Sequence, residues 1–505
     1  MKTNHKNLYI ISVLAIVFVI NIISDKLFFR IDFTSDNRYT LSNATKNILN
    51  DLEETVTVTA YFSNDLPTEI LRSKRDFKDL LTEYRNLAHG QFEFEFIDPS
   101  ASEELEKEAV EAGIYPVMIN VREKDQIKQQ KAFLGAIVEK GNKRELIPFL
   151  QPNTPIEYAL SSAIKKMSNK PRPTIGLLQG HGEPAPYAMQ QAIAEMSVIY
   201  NIIPINIKEN PSLIDSITTL AIIAPIDTIT NAEFEAIDNF LAKGKGVFIA
   251  HNNAIADLNQ LYAAKTNSGI DQWLRQKEIS IDNKLAIDNY CATINVTQQQ
   301  GFYRINVQQQ FPYIPFVSNF TNHAITNGLE QVQLAFVSPV VYTGDSTANY
   351  TPLLFTSARS ATVNIPTNID IQRQWQPYDF PLAEIPLGGL IEGHIGNASN
   401  AKMIIIGDGD FAINGSPNKP HQQSIDNISL LVNSLDYLSD DTRLIELRTK
   451  GITSRPIAQL DDSTRTIIKW CNMLIPIVIV ILICIIRRQQ QRNLRIKRME
   501  KGYVE

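Results

Sequence analysis

Cysteine is scarce: the 505 residues hold three, Cys291, Cys471 and Cys484. Two of these fall in an apolar run near the C-terminus, so Cys291 stands alone in the body and no disulfide framework can brace it. Dithiol redox chemistry, which needs paired thiolates, is excluded there as well. The sequence has no phosphate loop ending in Gly-Lys-Ser/Thr, so the chain is not an ATPase of that class. It has no G-x-S-x-G nucleophile elbow, and its seven His form no H-x-x-x-H metal pair. Positive charge is missing where nucleic acid would need it. The net charge is −6; with the head (+2) and tail (+5) set aside, the body between them carries about −13. Such a body repels a phosphate backbone, so no nucleic-acid partner is expected. Tandem repeats and low-complexity tracts are also missing.

What the chain does have is an apolar run at each end. Trp470 to Ile486, WCNMLIPIVIVILICII, holds no charge and is bounded by Lys469 and Arg487. Its length is near the lower limit for a membrane-spanning helix, about 17–25 residues. Pro476 inside it would break a soluble helix but is tolerated in a span. The segment from Arg487 to the end carries seven Lys or Arg against two Glu, which marks the cytoplasmic side. The other run, Leu8 to Ile23, follows Lys2 and Lys6 and has no A-x-A cleavage pattern after it. It reads as an uncleaved anchor rather than a signal peptide. The expected layout is an inner-membrane protein of two passes, with both termini cytoplasmic and one large body, about Asp25 to Thr466, in the periplasm.

Periodicity divides that body. Residues 25–52 form a juxtamembrane segment in which Ser42 or Asn43 caps a helix to about Leu52; Arg30, Asp32 and Arg38 place charge near the membrane. Residues 53–150 read in the order βαβαβββ, which resembles a thioredoxin-like domain without redox Cys. Their strands are expected at Thr55–Phe62, Gln91–Ile97, Val117–Val121, Lys131–Glu139 and Glu145–Leu150, and Pro116 stands where that fold often has a cis proline. Residues 151–445 alternate apolar strands (Thr174–Leu178, Thr219–Ala224, Gly246–Ala250, Met403–Ile406) with helices (Ala188–Tyr200, Asn231–Ala242 begun by Thr230, Ser424–Leu438), which means an α/β layer with a mostly parallel sheet. Within it, about 252–402 reads as a large insertion with short strands such as Thr362–Arg373. A return linker (446–468), the C-terminal helix (469–487) and a basic tail (488–505) complete the chain; the first anchor is residues 1–24.

In such sheets ligands bind at the carboxyl ends of the strands. Three stretches fall there: Gln179-Gly180-His181-Gly182-Glu183-Pro184, Ala250-His251-Asn252-Asn253, and Gly407-Asp408-Gly409-Asp410. His181 with Glu183 has the composition of an acid/base pair, but also of a turn whose polar groups cap the next helix. Asp408 and Asp410 could hold a cation, yet they lack calcium-loop spacing. His251 is most simply a polar strand end. No metal or cofactor is expected.

The motifs together resemble the GldG-like family of gliding-motility-associated ABC-transporter auxiliary subunits. The stretches that carry the likeness are RIDFTSDNRYTLSNATKNIL, QGHGEP, IIGDGDFAIN, NSLDYL, LIELRTK and the proline-bearing last span ending in Arg-Arg. The resemblance implies a thioredoxin-like first domain. It implies a second domain similar to class-I glutamine amidotransferases (flavodoxin-like) and to the intraflagellar-transport-like fold. Amidotransferases place a nucleophilic Cys at a strand-to-helix elbow; here Ala250-His251-Asn252 stands at the corresponding strand end, so the resemblance implies a degenerate, non-catalytic fold. It also implies partners: an ABC-2-type permease, a cytoplasmic ATPase, and an envelope or cargo partner. Arg30, Asp32, Arg38, Tyr39 and Pro476 are the candidate permease-docking residues. Two other classes stay open: an exported hydrolase or amidotransferase-like enzyme using His181, Glu183, Asp408 and Asp410, and an envelope scaffold without a transporter.

Overall fold

Four short apolar strands make the centre of the body, and nearly every residue in them is buried: Thr174–Leu178, Thr219–Ile223, Gly246–Ala250 and the Met403–Ile406 end of Ala398–Ile406. Runs without polar alternation are what a sheet covered on both faces requires. A computed structural model shows this covering; it describes residues 40–499 apart from 65, 124–125, 149–155, 169–171, 301–302, 345–347, 416–418 and 440–461. The Leu8–Ile23 anchor, Arg30, Asp32, Arg38, Tyr39 and most of the return linker lie outside the described residues.

The central sheet has eight strands. Asn201–Ile205, Thr174–Leu178, Thr219–Ile223, Gly246–Ala250 and Ala398–Ile406 follow one another in parallel. Pro386–Ile395, Ala348–Phe355 and Asn319–Phe320 then continue it antiparallel. Successive residues serve opposite faces, as strand pleating dictates. Leu177, Ala221, Phe248 and Ile404 enter one core with the Ile425–Ser439 helix. Leu178, Leu220, Ile249 and Ile405 enter the other with the Asn231–Ala242 helix.

Three departures from the sequence reading fall between residues 188 and 402. Asn201–Ile205 is a strand that the expected Ala188–Tyr200 helix overshadowed; that helix shrinks to Gln190–Met196 after a 3-10 turn. The strand sits at the sheet edge, where Pro204 can be accommodated. The insertion also gives three of its strands to the sheet rather than standing apart from it. The expected Thr362–Arg373 strand ends at Asn364 and resumes only as Thr367–Asn368 after the cis Ile365–Pro366 peptide.

A four-stranded sheet precedes it, in the order Phe92–Ile97, Val56–Phe62, Leu134–Lys140, Lys143–Ile147. The first pair is parallel and the other two are antiparallel. The Thr68–Leu87 helix covers one face with Phe77, Leu81 and Tyr84, and the Ile156–Lys166 helix adds Leu160 and Ile164 to the same core. The single strand expected at Lys131–Glu139 is in fact two. Gln126–Ala132 pairs with Val117–Glu123 in a separate hairpin, and Leu134–Lys140 joins the sheet. The QIKQQK stretch has too little β-branched or aromatic content to signal a strand by itself. The peptide before Pro116 is not cis.

The juxtamembrane helix, Asn43–Asn50, packs into two cores of the body. Ser42 caps it, its side chain accepting from the Thr45 N–H. Leu41 and Leu49 enter the core of the four-stranded sheet, Ala44 enters that of the central sheet, and Ile48 packs against both. A buried polar chain fixes it. The Ser42 N–H and the Thr45 hydroxyl donate to Glu157 Oε1, each at 2.8 Å, and the Ser161 hydroxyl lies 3.0 Å from Thr45 and 2.7 Å from the Tyr84 hydroxyl.

Residues 454–505 form a second compact unit. It contains the 38-residue helix Asp462–Met499, which carries Pro476 in its interior and runs on beyond the apolar stretch into the basic tail. It is the one helix among the described residues that is long and apolar enough to cross a membrane.

Candidate functional site at the strand ends

Parallel pairing aligns the carboxyl ends of the central strands along one edge, so the three motif stretches share that edge. Strand order reverses between Thr174–Leu178 and Thr219–Ile223, which is where open sheets of this kind form a ligand crevice. Here the chain itself fills it. The His181 carbonyl accepts from both the Ile226 and the Asp227 N–H at 2.8 Å. Gly182 follows with φ +80, a conformation that side chains resist, and this turns Glu183 back beneath the loop.

His181 is the centre of the loop and is 5 % exposed. Its Nδ1 lies 3.1 Å from Glu183 Oε1, and its Nε2 lies 3.1 Å from Glu233 Oε1. The second oxygen of each carboxylate is also engaged. Glu183 Oε2 accepts from the His181 N–H at 2.7 Å. Glu233 Oε2 accepts from the Thr230 N–H at 3.0 Å and the Thr230 hydroxyl at 2.6 Å. Burial alone would raise the Glu233 carboxyl, but the Thr230 hydrogen bonds and the neighbouring His181 outweigh it and hold it below its ordinary value. Chemically this is a closed staple that ties a strand-end loop to the start of the Asn231–Ala242 helix. Glu233 is the third helical residue of the capping box begun by Thr230. Its second role, 52 positions away from His181, has no local signal.

The other two stretches meet each other. Asn252 bridges them: its Nδ2 donates to Asp410 Oδ2 at 2.9 Å, and its Oδ1 accepts from the Gly409 N–H at 2.7 Å. Asp408 is fully enclosed and accepts from the Ala335 N–H at 2.6 Å and the Asp410 N–H at 2.8 Å. Burial, reinforced by Asp410, pushes Asp408 up to about 8 against the pull of backbone N–H groups. Asp410 is raised by burial too, with Asn252 opposing. Among the described residues no hydrogen bond joins this group to the His181 staple. Nor do three or more His, Cys, Asp or Glu side chains converge there as a metal cage.

His251 is 1 % exposed, and its Nδ1 has no hydrogen-bond partner among the described residues. Burial pushes it down from 6.5 to about 4, with Asp271 opposing. The sign follows directly: the unfolded imidazole gains a proton near pH 6.5, the folded one only near pH 4. The contribution of His251 is therefore fully present above pH 6.5 and is lost as pH falls toward 4. The expected loss is about 3 kcal/mol. Denaturation of the wild type and of His251→Gln across pH 4–7 should show it as a difference in slope; parallel pH profiles would refute it. Cys291, half-buried and raised to about 11 by burial, is no thiolate nucleophile.

A model of the ABC-transporter auxiliary family, described as an ABC-type uncharacterized transport system, matches residues 172–436. The chain belongs to this family. The match spans the central sheet and its insertion, including both strand-end groups. A second model, for a domain of unknown function, matches residues 35–139. An uncharacterized protein of Borreliella burgdorferi is 23% identical over 478 residues, covering 88% of each chain. Among solved structures, the mmIFT52 N-terminal domain is similar at 12% identity, covering 52% of this chain and 96% of its own, with a TM-score of 0.35. A ThuA-like protein of Parabacteroides merdae matches at 12% identity, 57% and 94% coverage, and TM-score 0.28. PurLQS of Thermotoga maritima matches at 10% identity, 53% and 100% coverage, and TM-score 0.25. Membership in an ABC-transporter auxiliary family implies a transporter complex with a permease and an ATPase, and the apolar C-terminal helix is consistent with a membrane location.

Proposed function

We propose that the chain is the extracytoplasmic auxiliary subunit of an ABC-2-type transporter that serves gliding motility or envelope export, and that it binds or braces rather than catalyses. The observation that carries this reading is the family match over residues 172–436. In this reading the chain is held by a span at each end, with both termini in the cytoplasm and the body in the periplasm. The first domain is thioredoxin-like and the second amidotransferase-like. The sheet order of each supports that. A binding role is favoured over catalysis because both nitrogens of His181 and all four oxygens of its carboxylate partners are consumed inside the protein.

Docking falls to the juxtamembrane residues Arg30, Asp32, Arg38 and Tyr39 and to the helix around Pro476. Photo-crosslinking residues placed at Tyr39 and at Val478 in native membranes test this. Adducts with a polytopic membrane subunit are expected from at least one position. Adducts with lipid alone at both positions would reject the docking surface.

A further inference from the structure

We propose that the seam between the two sheets is a binding site for an amphipathic anion, a short alkyl or acyl chain carrying one phosphate or carboxylate. A hollow of about 120 Å³ opens there. Its floor is apolar and drawn from both cores: Ile164 from one, Ile199 from the other, with Ile48 and Leu52 of the juxtamembrane segment between them.

The rim is mainly cationic, with Lys140, Lys165, Lys166 and Arg172 against Asp51. Two of these cations have a structural reason to be there. Lys165 and Lys166 close the Ile156–Lys166 helix, where positive charge offsets the carbonyl end of the helix dipole. Lys166 also meets Glu145 at 3.3 Å. Lys140 and Arg172 have no such reason. Lys140 ends the Leu134–Lys140 strand of the first sheet, and Arg172 precedes the Thr174–Leu178 strand of the second. Neither forms an ion pair among the described residues, yet both border the same apolar hollow.

Two cations from separate sheets, facing an apolar floor, fit a ligand with an anionic head and a hydrocarbon end. The head neutralises Lys140 and Arg172 through charge-assisted hydrogen bonds, and the tail removes the floor from water. An occupant would tie both sheets to the helix that follows the first apolar run.

The test is hydrogen exchange of the full-length chain in nanodiscs, read at residues 46–52 and 160–168, with hexyl phosphate as the probe. Exchange of both segments should slow roughly tenfold, about 1.4 kcal/mol of added protection. Hexanol or inorganic phosphate alone should leave it unchanged, and the Lys140→Glu/Arg172→Glu variant should abolish the effect. Discs of phosphatidylcholine alone and discs containing phosphatidylglycerol separate the sources. Protection in the anionic discs without the probe identifies a bilayer lipid; protection only on adding hexyl phosphate identifies a free amphiphile. The proposal fails if neither protects, if inorganic phosphate alone suffices, or if the double variant is protected like the wild type.

Discussion

His181→Ala is expected to destabilise the body by about 3–5 kcal/mol, the cost of leaving two buried carboxyl groups without the hydrogen-bond partner they share. In a body of this size that corresponds to a fall in melting temperature of roughly 3–5 °C. The reason is geometric. His181 stands between Glu183 and Glu233, 3.1 Å from each, and the three side chains are almost wholly enclosed. Removing the imidazole leaves two buried carboxylates facing a cavity with no donor between them. Tyr187, a few residues on and 59 % exposed, is the control; its replacement by alanine should change stability by no more than about 0.5 kcal/mol. A His181→Ala protein that melts like the wild type would contradict the staple and return the loop to the list of ligand sites.

Glu157→Ala carries the second large effect, about 3 kcal/mol. The substitution removes the acceptor for the Ser42 N–H and the Thr45 hydroxyl, both at 2.8 Å. It leaves the Ser42 N–H unsatisfied in the seam and the Thr45 hydroxyl with Ser161 alone to turn to. Glu157 and Thr45 are 8 % and 0 % exposed, so water cannot readily stand in. The consequence should be local as well as global. Amide exchange across residues 46–52 should quicken roughly 100-fold, since each tenfold step is about 1.4 kcal/mol. Exchange of the Gly246–Ala250 strand, distant in sequence and fully buried, should change much less. Equal acceleration of the two segments would mean that the network does not specifically hold the juxtamembrane helix.

Much of the fold was legible because local and global signals agree. Thr230 announces the start of the Asn231–Ala242 helix, and Gly246–Ala250 reads as a buried strand at the same bounds that the structure gives. What was not legible depends on contacts far along the chain. Asn201–Ile205 hides behind Pro204 because a proline in a strand is acceptable only at an edge, and nothing local says where the edge lies. Pro386–Ile395 contains Gly388, Gly389 and Gly393, which weaken any strand signal. Gly389 is needed because a Cβ there would come 2.3 Å from the Tyr350 ring on the neighbouring strand, a partner that the sequence does not announce. At the strand ends, His181 with Glu183 and Asp408 with Asp410 could be singled out by residue type. Their pairings with Glu233, Asn252 and Ala335 could not, since each joins residues between 52 and 158 positions apart. The same limit hid the juxtamembrane helix. Its Leu49 face is periodic, but the burial of Ala44 and Thr45 comes from the Ile156–Lys166 helix and the second core.

The auxiliary role is tested most directly by isolating the full-length chain from its native membrane in a mild detergent and identifying what remains bound by mass spectrometry. An ABC permease and its ATPase at near-equal amounts with the chain are the predicted result. Recovery of the chain alone, or only with envelope proteins that include neither transporter subunit, would contradict it.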